Sequence, residues 1–454
     1  MTRQRISGWG RTAWTTADVV IAENATELAH LVSASHRRGA IARGLGRAYG
    51  AAAQNAGGTV IACAHDDGST QIQIDVATGV VTAPAGISLD TLLRVCVPKG
   101  WFVPVTPGTR FITLGGAVAS DVHGKNHHVD GSFGQHVVSI KVLLSSGQEV
   151  ILSPTENASW FWATVGGMGL TGIVTEVTFR MLQVESSQVM VETRRLAHLD
   201  DVIGAMSDSS DDDFRYSVAW VDMLASGRAL GRGVLTRGNH ARASDVAGNE
   251  PCRYDPKVRL AAPPWVPNGL LNKFTVRAFN EAWYRKAPAK SHVGLESIPA
   301  FFHPLDGVRQ WNALYGSNGF IQYQFIVPLD RVDVLRTVIG QFADAGVASF
   351  LAVLKRMGPS NAAPMSFPTE GWTLTLDLAA GSPRLPGLLD QVDDLVLDAG
   401  GRHYLAKDAH VAAHAVERAY PRLAEWKAVR DDMDPRGLWI SDLARRLKLV
   451  EEHT

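Results

Sequence analysis

The residue types best suited to chemistry sit in three glycine-rich stretches. The first, Ala42-Arg43-Gly44-Leu45-Gly46-Arg47-Ala48-Tyr49-Gly50, directly follows the short apolar run Gly39-Ala40-Ile41. Glycines at 44, 46 and 50 let backbone N–H groups approach an anion, and Arg43 and Arg47 add positive charge, which together suit a diphosphate. The second is Thr106-Pro107-Gly108-Thr109-Arg110-Phe111-Ile112-Thr113-Leu114-Gly115-Gly116-Ala117-Val118-Ala119-Ser120-Asp121-Val122-His123-Gly124-Lys125, with small residues packed beside one histidine. The third, Trp162-Ala163-Thr164-Val165-Gly166-Gly167-Met168-Gly169-Leu170-Thr171-Gly172-Ile173, leads into an alternating strand at Ile173, Thr175, Val177 and Phe179. A single glycine cluster after a strand is more often a plain turn. Three of them suit a long, flat, diphosphate-bearing cofactor laid along exposed backbone.

A second group of polar residues falls on strand-like stretches. Gln322 and Gln324 are two apart and share a face, while Ile321, Tyr323 and Phe325 point the other way. Lys355 ends a run with Val353 and Leu351 on its own face. Thr373, Thr375 and Asp377 stand opposite Leu374, Leu376 and Leu378. One polar face on several strands of a sheet reads as a lined cavity or as a solvated outer face. His127 and His128 are loop neighbours without metal-ligand helix spacing or a visible third ligand, so no metal is expected.

The elements that must position these groups follow from periodicity. Asn24-Ala25-Thr26-Glu27 has capping-box spacing before a helix with Leu28, Leu31 and Val32 on one face and Gly39 as C-cap. A second helix is expected over residues 88–98, with Cys96 as a core thiol. Val138, Ile140, Val142 and Leu144 alternate, turn at Ser145-Ser146-Gly147-Gln148 and return through Val150 and Leu152 as a hairpin. Mixed α and β structure thus runs to about residue 186. Beyond it lie an acidic cluster, Asp211-Asp212-Asp213, read as a solvated turn, and the loop Ala261-Ala262-Pro263-Pro264-Trp265-Val266-Pro267, read as a lid, a membrane-facing surface or a packed loop. From residue 319 the order strand, helix, strand, strand, helix, completed by residues 402–406, outlines a ferredoxin-like antiparallel sheet with helices on one face.

With 454 residues two domains are expected, an α+β pair divided as 1–186, 187–401 and a return over 402–454. A net charge of −1 gives no reason to expect nucleic acid. Three scattered cysteines argue against a disulfide framework. The basic start has no apolar segment behind it and no apolar span reaches membrane length. The expected place is therefore the cytoplasm or the periphery of a membrane, with the periplasmic face left open.

The order of the glycine stretches resembles the PCMH-type FAD-binding domain of the vanillyl-alcohol oxidase superfamily. Within it, residues 43–50, His123-Gly124-Lys125-Asn126-His127-His128 and Tyr404-Leu405-Ala406-Lys407-Asp408 are similar to the flavoprotein subunits of decaprenylphosphoryl-β-D-ribose 2′-epimerases, and the likeness runs from Gly8 to Leu447. The resemblance implies FAD held by residues 43–50 together with Gly108, Thr113, Leu114, Gly115, Gly116, Ser120, Asp121, Val122, His123, Ile173, Tyr404 and Lys407. It implies His123 and Lys407 as catalytic groups, and a substrate pocket of Trp220, Tyr315, Gln322, Gln324, Lys355, Thr373 and Thr375. Many relatives carry a histidine in the first loop that bonds covalently to the flavin; Gly46-Arg47-Ala48 has none, so the FAD is expected to be non-covalent.

The implied reaction removes a hydride from the 2′ carbon of a polyprenylphosphoryl pentose, and a separate NAD(P)H-dependent keto-reductase then returns the opposite configuration for cell-wall arabinan synthesis. Either Lys407 or His123 could take the hydroxyl proton. The chain departs from the pattern where Thr375 replaces a cysteine, Thr373 an asparagine, and Gly50-Ala51-Ala52 a Gly-Asp-Asn. Two alternatives stay open at this point: an oxygen-using oxidase of a soluble sugar, alditol or sugar lactone, and a flavin-binding protein that turns nothing over.

Overall fold

The computed structural model describes residues 2–451 except 23, 24, 35, 37, 65–70, 259 and 264. Asn24 of the expected capping box and Pro264 of the apolar loop therefore lie outside the described residues. The helix Ala25–Ser33 ends before Gly39, which is not its cap. Gly39 instead sits at φ +71°, where a Cβ would meet Ile440 at 2.3 Å, because the C-terminal segment packs directly on the chain there. Among the described residues no helix is long and apolar enough to cross a membrane.

Two sheets build the side that carries the glycine stretches. A four-stranded sheet runs in the order Thr2–Ser7, Trp14–Ile21, Thr59–Ala62, Ala40–Arg43, and its last two strands are parallel. The second sheet has five antiparallel strands, with Ile173–Arg180 between Val80–Pro84 and Val137–Leu143. The expected helix is Leu89–Cys96, capped by the Ser88 hydroxyl, with Leu89, Leu92, Leu93 and Cys96 buried. The expected hairpin forms between Val137–Leu143 and Glu149–Leu152.

The largest sheet among the described residues has eight strands rather than the four foreseen. Its order is His292–Ser297, Gln188–Leu196, Gly233–His240, Tyr216–Val221, Ala352–Met357, Gly371–Ala379, Phe320–Val327, Arg402–His403. Helices Leu199–Ser207, Val332–Ala345 and Leu385–Asp398 cover one face, where Tyr323, Phe325, Leu374, Leu376 and Leu378 join their core. The opposite face carries the polar set. Register puts Gln322 opposite Asp377, Gln324 opposite Thr375 and Lys355 opposite Thr373. The acidic cluster is only partly solvated: Asp211 is buried, accepting from the Ser217 hydroxyl at 2.8 Å with Arg237 at 3.4 Å, while Asp212 and Asp213 are exposed.

Candidate active site

The three glycine stretches converge by direct contact. A Cβ on Gly44 would meet Thr113 Oγ1 at 2.4 Å, so the first stretch lies against the second. Gly166 N–H donates to Val118 O at 3.0 Å and Met168 N–H to Ala119 O at 2.8 Å, tying in the third. Gly46 sits at φ +65° with the Arg43 guanidinium filling the space of a Cβ. That guanidinium donates to Ser7 O at 2.7 Å and Ala53 O at 3.0 Å, bracing the loop from behind.

Lys407 reaches the same place from the far end of the chain. The strand Arg402–His403 pairs at the edge of the large sheet, and Tyr404 N–H donates to Gln324 O at 3.0 Å. Tyr49 N–H then donates to Ala406 O at 3.0 Å, and a Cβ on Gly50 would strike Asp408 O at 1.8 Å. Only glycine admits that approach of two backbones. Asp408 turns away to pair with Arg446.

Between these parts lies a cavity of about 770 Å³. Of the residues the resemblance assigned to the cofactor, those at 44–49, Gly108, Thr113, Gly115, Gly116, Ser120, Val122, His123, Ile173, Tyr404 and Lys407 line it. Arg43, Gly50, Leu114 and Asp121 stand behind the wall. Leu114 is core, and Asp121 is a buried hub that accepts from the Ser132 hydroxyl at 2.8 Å, Gly134 N–H at 2.9 Å and Asn361 at 2.6 Å. Of the substrate set, Trp220, Gln322, Lys355 and Thr375 line the cavity, and Tyr315, Gln324 and Thr373 do not. Tyr315 stacks on Phe320 at 4.3 Å, while Gln324 Nε2 donates to Thr373 Oγ1 at 2.9 Å and to His123 Nε2 at 3.0 Å.

That last contact fixes the histidine. Because Gln324 donates to Nε2, the ring hydrogen is on Nδ1, which is buried with no protein partner among the described residues. Burial, then the charges of Lys355 and Lys407, hold His123 well below the usual imidazole range, so it is neutral. Lys355 is itself pushed far down by burial and by Lys407 and Lys125. Lys125 donates to Phe301 O at 2.5 Å and lies 4.0 Å over the Phe301 ring, with burial bringing it down to about 8.

Sequence reasoning named Asp377 as part of a polar face without giving it a part in the site. It is fully buried, accepts from Gln322 Nε2 at 2.5 Å and leaves Oδ2 without a partner. Burial raises it to about 7 against the pull of Gln322 and Lys407, and burial lowers Lys407 to about 8 against the pull of Asp377. The register with Gln322 was the signal that could have found it. Lys125 was in the quoted string but unassigned. Trp9, whose ring carries the Arg47 guanidinium at 3.8 Å, gave no sequence signal.

The donor set fits FAD. Backbone of three glycine stretches lines one cavity, and Arg47 Nε is buried without a partner beside it. Residues 16–153 match the FAD binding domain family, and residues 382–447 match the D-arabinono-1,4-lactone oxidase family. The chain is 41% identical to the decaprenylphosphoryl-β-D-ribose oxidase of Mycolicibacterium smegmatis over 99% of its own length and 98% of that protein. It is 35% identical to an uncharacterized protein of Streptomyces coelicolor over 80% of this chain and all of that one. An alditol oxidase of a Streptomyces species is 24% identical over 97% of the chain and 98% of its own length. Fold and site thus define an FAD-dependent oxidoreductase of the vanillyl-alcohol oxidase superfamily acting on a CH–OH group. Within that class the chain belongs to the decaprenylphosphoryl-β-D-ribose oxidase family.

Proposed function

We propose that this protein oxidises the 2′-hydroxyl of decaprenylphosphoryl-β-D-ribose to the 2′-ketone, and that an NAD(P)H-dependent keto-reductase completes the epimerisation. The observation that carries the reading is the cation content of the substrate end of the cavity. Lys355 projects into it without an acidic partner among the described residues, with Lys125 and Lys407 near enough to depress it. A neutral sugar calls for one amine as base and gives no return for enclosing Lys355 and Lys125 besides Lys407, whereas a phosphodiester does. Residues 187–401 form the substrate side, and 1–186 with 402–454 the cofactor side.

FAD, when bound, supplies the hydride acceptor. Lys407, lowered toward neutrality, takes the hydroxyl proton, and the cation it becomes offsets the charge delivered to the cofactor. Asp377 acts through Lys407 as a positioning residue, limiting how far that amine falls. His123, whose ring lines the cavity and whose Nε2 is tied to Gln324, is held neutral beside the cofactor as a fixed part of the wall. Lys355 holds the phosphate. Thr375 lines the wall without a thiol, and Cys63, also on the lining, is pushed up to about 12 by burial. Ala48 offers no nucleophile to the flavin, so acid precipitation should leave the yellow colour in the supernatant and a colourless pellet.

The test is anaerobic mixing of the yellow protein with decaprenylphosphoryl ribose while following flavin absorbance. Rapid bleaching is expected. Persistent colour with this compound but bleaching with a soluble alditol would replace the reading.

A further inference from the structure

Among the described residues, eight of the fourteen exposed large apolar side chains fall between residues 260 and 295. Trp265 is 77% and Phe274 82% exposed, and Leu260, Leu270, Phe279 and Trp283 join them. Soluble surfaces scatter such residues, and a concentration in one segment marks a contact surface. The helix Lys273–Lys286 buries only Val276 and Asn280 fully. At helical spacing Phe274, Ala278, Ala282, Phe279 and Trp283 sweep one exposed arc. Phe279 and Trp283 stack at 6.2 Å on that arc.

The same segment concentrates charge. Residues 257–295 contain seven lysines and arginines and one acid, Glu281, in a chain whose net charge is −1. Arg285 and Arg232 share that acid. Lys273, Lys286 and Lys290 are exposed and in no ion pair among the described residues. Lys286 lies within the aromatic arc, and Lys273 and Lys290 stand at and just beyond the two ends of the helix; an aromatic arc bordered by lysines is the composition of helices that lie in the headgroup layer of an anionic bilayer.

Position gives the patch a purpose. Trp283, Lys286, Pro288 and His292 also line the cavity, and the exposure of Trp283, Lys286 and His292 places its opening at this surface. We propose that the surface formed by residues 260–295 docks on an anionic bilayer, with the cavity opening toward the headgroup layer. A long-chain phospholipid-like substrate then enters by moving its polar end from the membrane into the cavity, its apolar tail staying among lipids. This purpose rests on the proposed lipid-linked substrate; the docking itself does not.

The experiment is flotation of the FAD-loaded full chain with vesicles of phosphatidylcholine, with and without phosphatidylglycerol. Binding is expected to need phosphatidylglycerol and to weaken at high salt. Two double variants at positions outside the cavity, Trp265→Ser with Phe274→Ser and Lys273→Glu with Lys290→Glu, should each lower partition at least about tenfold. Both should still bleach with detergent-dispersed decaprenylphosphoryl ribose. No flotation, equal flotation on neutral vesicles, flotation only when a second protein is added, or undiminished partition in both variants overturns the docking surface. Flotation with these dependences but no bleaching by that substrate would support the surface while removing the substrate reading.

Discussion

At the residue scale the two groups with the most displaced charge equilibria make separable predictions. Lys407 must be neutral to take a proton, and burial brings it to about 8, so the rate of flavin bleaching should rise as pH climbs through about 8. Asp377 is the one neighbour that raises Lys407. Asp377→Asn keeps an oxygen for Gln322 but removes the charge, so the midpoint of the pH–rate curve should move to lower pH. Stopped-flow bleaching across pH checks this. A collapse of the rate at every pH would instead make Asp377 the proton acceptor. Lys355 gives a contrasting signature. Lys355→Met removes a buried amine that has no acidic partner among the described residues, so thermal stability should hold or rise. Loss of a charge-assisted bond to phosphate should weaken substrate binding roughly 10- to 100-fold while the limiting bleaching rate changes little. Titration of flavin fluorescence, alongside a melting curve, separates these effects.

At the element scale the first glycine loop depends on one backbone conformation. Gly46→Ala places a Cβ at φ +65° and 2.3 Å from Arg43 Nη2. The left-handed conformation alone costs about 1–2 kcal/mol, and displacing Arg43 loosens its hold on Ser7 and Ala53. FAD affinity should fall about tenfold or more, measurable by ultrafiltration of released flavin. How much of this was legible in sequence follows from how each element is buried. Strands Phe320–Val327 and Gly371–Ala379 alternate cleanly because one face meets helices and the other a cavity, so their polar set was readable. Gln188–Leu196 carries Glu192, Thr193, Arg194 and Arg195 at intermediate burial. Gly233–His240 buries Arg237 against Glu192 and Asp211. Ion pairs there interrupt the apolar period, which hid these two strands of the large sheet. The convergence of the glycine stretches on one cavity was legible because glycine and arginine report backbone needs directly. The approach of Asp377 to Lys407 was not, because it depends on strand order across the sheet.

At the scale of the whole molecule, the chain leaves the cofactor side, builds the eight-stranded sheet and returns, and the return makes the site. Lys407 lies on the first turn of that return. The residues after it then lock onto the glycine-bearing side. Trp426 Nε1 donates to Ala163 O at 2.9 Å, Ile440 N–H to Ala40 O at 3.0 Å, and Thr15 Oγ1 to Asp442 at 2.7 Å. The lock turns on Asp434, fully buried, which accepts from Arg430 Nη2 and Trp439 N–H, both at 2.8 Å, and from Leu438 N–H at 2.9 Å. Asp434→Ala leaves the buried Arg430 with only the exposed Asp431 as charge partner and two N–H groups without that acceptor, a loss of about 2–4 kcal/mol. Urea unfolding followed by tryptophan fluorescence should show that drop, with flavin released in the same transition. Flavin loss well before the tryptophan change would mean that the C-terminal return opens by itself and that Lys407 is held by the sheet edge alone. A single shared transition would mean that residues 434–442 and the sheet leading into the first glycine loop stand or fall together, as their direct bonds at Ala40 and Thr15 require.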